Sequence, residues 1–243
     1  MNQTNLTRWI GCALIVFAIA FNLPYLWLAA NFEYPAILRR PPGEVLEAFV
    51  AGGAPLIFAW AAFALAALLL APVAVAVSAV MKTSSRSSSA IAALGIAAGV
   101  TQAIGLSRWV YAVPLLANNW QSATEPLLRS STETVFTMLH QFAGVGIGEA
   151  IGQSLTAFWM IGVAAQQLTH PRFGRWIASL GFAGGVVLLL GLVEGVSTVL
   201  SFDPGAFGLA AMIGFLVVTV WLIWTGLCCF KPVREPVHHK SES

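Results

Sequence analysis

The chain has 243 residues, 58% of them hydrophobic and only 9% charged, with a formal net charge of +2 and a mean hydropathy of +0.81. Soluble domains carry roughly 25% charged residues, so this composition excludes an ordinary soluble domain. The small net charge gives no basis for a nucleic-acid partner, and the expected surroundings are a lipid bilayer.

A spanning helix needs about 20 mostly apolar residues. Six segments meet that requirement, near 9–30, 55–80, 89–116, 138–167, 175–200 and 206–230. The first continues through Leu28 and breaks at "FNLPY" rather than at a small-residue cleavage site, so it is read as a retained helix and not a signal peptide. The connector "EYPAILRRPPGEVLEAF" holds Pro41, Pro42 and Gly43 ahead of a short helical pattern, and Ala54-Pro55 bends the chain into the second span. "KTSSRSSSA" is a short flexible link. In "SSTETVF", Ser130 and Glu133 have the spacing of a capping box that starts the fourth helix. The expected architecture is all-α: a six-helix transmembrane bundle over 1–230, followed by a short cytoplasmic tail over 231–243.

Lys and Arg distribution orients the bundle. Arg8, Lys82, Arg86, Arg172, Arg175, Lys231, Arg234 and Lys240 fall on one side, and Arg39, Arg40 and Arg129 on the other. Both termini are therefore expected in the cytoplasm. Trp9, Trp176 and Trp224 fit an inner aromatic belt, and Tyr25, Trp27, Tyr111 and Trp120 an outer one.

Three ionisable residues fall inside the spans: Arg108, Glu149 and Glu194. Each costs about 2.5–3.5 kcal/mol at a helix centre, so such groups face the bundle interior and seek partners. With a rise of 1.5 Å per residue, all three lie roughly 5–10 Å to the outer side of midplane. Projection at about 100° per residue places Gln141, Glu149, Gln153 and Thr156 on one stripe of the fourth helix. Thr101, Gly105, Arg108 and Tyr111 share a stripe on the third, and Gly191, Glu194, Ser197 and Thr198 one on the fifth. Gly144, Gly148 and Gly152 recur every four residues, a surface that lets another backbone approach closely. Gly95 with Gly99 and Gly181 with Gly185 repeat that spacing. The expectation is that Glu149 meets Arg108 across the glycine contact, while Glu194 has no basic partner at its depth. Such a pair serves either helix register alone or a binding function, and the unmatched Glu194 argues for the latter. His140 stands nine residues before Glu149, about 180° round an ideal helix. It is expected at the interface unless the glycine run distorts the helix.

Other chemistry is missing from the sequence. No zinc-protease, phosphate-loop or serine-elbow motif occurs, and Cys12, Cys228 and Cys229 lack metal-ligand spacing. No metal, haem or other cofactor is expected, and nothing recommends an enzyme. Arg39 or Arg40 is expected to fold back onto an acidic partner, with Glu44, Glu47 and Glu149 as candidates.

The stretches "FEYPAILRRPPGEVLEAFVAGG", "GLSRWVYAVPLLA" and "VFTMLHQFAGVGIGEAIG", followed by Trp159, resemble bacterial membrane proteins of the domain of unknown function 4386 family. The resemblance implies a multi-pass protein of the bacterial cytoplasmic membrane and singles out Arg39, Arg108, Trp109, His140 and Glu149. It implies no activity. Two functions remain open. One is a non-enzymatic protein that binds or passes a small ligand or proton at Arg108, Glu149 and Glu194. The other is an accessory or scaffold subunit whose glycine faces dock a membrane protein or a second copy.

Overall fold

A computed structural model of the chain describes residues 3–81 and 85–232. Lys82, the tail beyond Pro232 (with Arg234, His238, His239 and Lys240) and the Thr198 side chain lie outside that description. The described chain is helical, with no strand. It runs through α1 (Gln3–Phe32), a 3₁₀ turn over Ala36–Arg39, α2 (Pro42–Leu68), α3 (Leu70–Met81), α4 (Ser85–Tyr111) and α5 (Val113–Ser122). It continues through α6 (Pro126–Leu139), a π-helical segment over His140–Ile151, α7 (Gly152–Thr169), α8 (Arg175–Leu200), a 3₁₀ turn over Gly205–Leu209 and α9 (Ala210–Cys228).

Proline and glycine set the breaks. Gly53 has φ 56° and ψ −151°, a backbone that residues with a Cβ avoid, and it kinks α2 two residues before Pro55. Pro72 and Pro114 each lack the N–H that would bond back across the α2–α3 and α4–α5 joints, and the chain breaks there. Ser130 caps nothing. α6 begins at Pro126, ahead of it, with Glu125 at the cap position. Glu133 instead accepts a hydrogen bond from Trp120 Nε1 at 2.8 Å, which ties α5 to α6.

Five helical stretches are long and apolar enough to cross a membrane: Thr4–Phe32, Pro42–Met81, Arg86–Ser122, Arg175–Ser197 and Gly205–Cys228. These describe an all-α, multi-pass membrane protein. The segment expected as a sixth span, 138–167, is not among them. It is interrupted by the π-helical turns, and α7 carries Gln153, Thr156, Gln166 and Gln167, all buried. α7 packs on α8, α4 and α3, so its neighbours cover the polar residues.

α1 and α9 cross where Gly11 meets Gly226, which puts both described ends of the chain at one end of the bundle. The turn between α1 and α2 lies at the opposite end. Two apolar clusters fill the interior. One surrounds Trp159, Met160, Leu188 and Trp221. The other surrounds Phe32, Phe49, Trp60 and Trp109 and includes Ile37 from the α1–α2 turn. Lipid tails are as apolar as these side chains, so close packing rather than escape from water rewards their burial. Trp60 and Trp109 stack with ring centres 4.7 Å apart and planes 8° from parallel. Trp159 and Trp221 meet edge to face at 5.6 Å.

Candidate functional site

The glycine stripe of the π-helical segment lies against α4, and its members meet α4 residues in antiparallel order. A Cβ on Gly144 would strike the Arg108 guanidinium, one on Gly148 would lie 3.2 Å from the Gly105 Cα, and one on Gly152 would lie 2.7 Å from the Gln102 side chain. Gly105 is tighter still, since a Cβ there would come within 2.6 Å of the Gly148 Cα. The two backbones touch, as the small-residue spacing predicts. The other glycine pairs also pack internally: Gly95 and Gly99 on α3 and α7 residues or α2–α3 backbone, and Gly181 and Gly185 on α7 and Trp221.

That contact does not bring Arg108 onto Glu149. Arg108 is 7% exposed, in the last turn of α4. One Nη donates to the Gly105 carbonyl of its own helix. The other lies 3.3 Å from Nδ1 of His140, a contact that needs a neutral imidazole with its proton on Nε2. The guanidinium centre is 5.3 Å from the Trp109 ring. Its Nε is buried without a hydrogen-bond partner. His140 thus takes the place expected for Glu149. An ideal α-helix would hold His140 half a turn away, but i→i+5 bonding across His140–Ile151 widens each turn and changes the angle between the two residues. The distortion that would bring His140 into the layer is present.

Many protein atoms surround Glu149, yet its own surface stays open. Its carboxylate makes no hydrogen bond or ion pair among the described residues, although Arg108, Glu194 and Arg39 are within electrostatic reach. Glu194, expected to lack a basic partner, has one. Arg39, from the α1–α2 turn, pairs with its carboxylate, the two side chains being 58% and 28% exposed. Arg40 pairs with Glu33 in the same turn. Both arginines fold back, but neither reaches Glu44, Glu47 or Glu149.

Gln153 donates to the Leu188 carbonyl at 2.6 Å, linking α7 to α8 below Glu149. Thr156 accepts from Gln102 Nε2 at 2.6 Å. Tyr111 does not join the layer. It is 76% exposed at the end of α4 and lines a surface groove of about 230 Å³ with Ala61, Leu65, Leu68 and Ser107. Two participants were missed. Gln102 is the only side-chain amide in the third apolar segment, a signal passed over in favour of Thr101. Tyr34 belongs to the "YPAILR" stretch; its ring meets Trp60 edge-on at 5.1 Å, and it lies within electrostatic reach of Glu149, Arg108 and Glu194.

The layer therefore gathers Tyr34, Arg39, Arg108, His140, Glu149 and Glu194 from four parts of the chain. It offers one unpartnered buried donor atom, Arg108 Nε, and one open acceptor, the Glu149 carboxylate. Among the described residues, no group of three or more His, Cys, Asp or Glu side chains is placed to hold a metal ion.

Comparison with curated proteins and with solved structures gives no match. Residues 9–226 match a family model described as Domain of unknown function (DUF4386). That match spans most of the chain, from within the first turns of α1 to the last turn of α9. The chain belongs to the DUF4386 family.

Proposed function

We propose that this is a non-enzymatic, six-span protein of the bacterial cytoplasmic membrane, with both termini in the cytoplasm, that binds a small polar ligand or a proton in the outer half of the bundle. The sixth span in this reading is the π-helical segment with α7, whose polar side chains are shielded by α8, α4 and α3. A helix surrounded by other helices does not have to be apolar all round.

The observation that carries the functional reading is the open pair. Arg108 and Glu149 sit in one layer, within electrostatic reach, and do not bond to each other. An unpaired buried donor costs about 1–3 kcal/mol, and a purely structural clasp would close the gap. A small molecule with both donor and acceptor groups, or a proton carried with water, would fill it. Binding is favoured over passage because the other half of the interior is filled by Trp159, Met160, Val163 and Trp221. The glycine faces are spent on contacts within the chain, which weighs against docking a partner through them.

Native mass spectrometry of the purified protein tests this. A stoichiometric small molecule carried by the wild type and lost from a folded Arg108→Met, Glu149→Leu double variant supports the reading. Identical spectra for the two proteins would remove the small-ligand reading.

A further inference from the structure

The turn between α1 and α2 is built as a unit. Arg40 pairs with Glu33 across it, and Ile37 N–H bonds to the Glu33 carbonyl at 3.0 Å, as does Arg40 N–H to the Ile37 carbonyl. Glu33 holds a left-handed backbone, φ 52°, uncommon for a residue with a Cβ. Ile37 is anchored in the apolar cluster at 2% exposure. Across the bundle, the ion pair that reaches from this turn to another helix is Arg39–Glu194, on α8. Behind the turn, ring contacts run from Tyr34 to Trp60, from Trp60 to Trp109, and from Trp109 to the Arg108 guanidinium. That guanidinium keeps an unpartnered, buried Nε.

We propose that the segment 33–41 is a strap over the Arg108 side of the charged layer, fastened to α8 by the Arg39–Glu194 pair and opened when that pair is released. The proposal rests on the layer being a binding site and assigns the control of entry to it. With Ile37 seated in the apolar cluster, the compact turn pivots about that anchor when the pair is released. The fastening suits reversible opening, because both partners keep exposed surface and such a pair is weak and screened by salt.

The test uses the full chain with Cys12, Cys228 and Cys229 replaced by Ala and a reporter, His140→Cys, beside Arg108. The measured quantity is the rate of labelling by a water-soluble methanethiosulfonate. An exposed ion pair accounts for a change of about two- to five-fold, so Arg39→Ala should speed labelling by about that factor. The exchanged pair, Arg39→Glu with Glu194→Arg, should bring the rate back to that of the parent. Raising salt to about 1 M, where the screening length falls to roughly 3 Å, should speed labelling of the parent and leave Arg39→Ala unchanged. Equal rates in all these proteins, or equal acceleration by salt with and without Arg39, would overturn the strap. The parent's own response to salt needs no altered ion pair, so a parent that salt does not accelerate overturns the strap even if Arg39→Ala folds poorly. Failure here leaves the mass-spectrometric result untouched, and failure of that result leaves the labelling rates as they are.

Discussion

Arg108 and Glu149 differ in how much the fold depends on them. Arg108 is enclosed, bonds to the Gly105 carbonyl and His140, and lies over Trp109. Glu149 has open surface and no bonded partner. Glu149 has no bonded partner to lose and Gln keeps its size and polarity, so Glu149→Gln should barely move the melting temperature. A buried clasp with Arg108 would instead cost about 3–5 kcal/mol when broken, and a loss of that size would show that the two side chains pair directly. Rise per residue put Arg108, Glu149 and Glu194 at similar depth, and Glu149 lies within electrostatic reach of the other two. The sequence failed on partners, because those depend on rotation and on loops. His140 was projected away from the layer by assuming α-helical winding through a run that winds more widely. Arg39 could not be matched to Glu194 because a turn folding back over a bundle leaves no periodic trace.

The π-helical segment and α4 form the contact on which the layer is built. Glycine spacing announced this contact, and the partner face proved to be Thr101, Gln102, Gly105 and Arg108. Gly105 and Gly148 leave no room for a methyl group without moving backbone, whereas the nearest atom to a Cβ on Gly146 would be the Gln141 carbonyl oxygen at 3.4 Å. Overpacking of this kind costs typically about 1–3 kcal/mol. Gly105→Ala should therefore lower stability by about that amount, and Gly146→Ala should stay within about 1 kcal/mol of the parent in thermal melting. Equal tolerance at both positions would mean that the helices do not cross at Gly105. Tyr111 shows where helical projection runs out. It closes α4 just before the break ahead of Pro114, and its ring turns to the groove beside Ala61 and Ser107.

Across the whole molecule, five of the six expected segments keep the length and apolar character of spans. The one that does not is the segment that carries His140 and Glu149. The same polar residues that lower its hydropathy are those covered by α8, α4 and α3. Under the proposed six crossings, the Lys and Arg bias puts both termini in the cytoplasm. A reporter fused after Ser243 should be cytoplasmic, and one inserted between Arg40 and Pro41 should be exported. With five crossings the two reporters would not show this pattern, because the C-terminal one would change sides. The measurement closest to the central claim is an experimental density map of the purified wild-type protein in lipid nanodiscs. Binding at the charged layer predicts non-protein density within hydrogen-bonding distance, about 2.7–3.2 Å, of both the Glu149 carboxylate and the Arg108 guanidinium. A map in which those two side chains close directly on each other, with nothing between them, would contradict it.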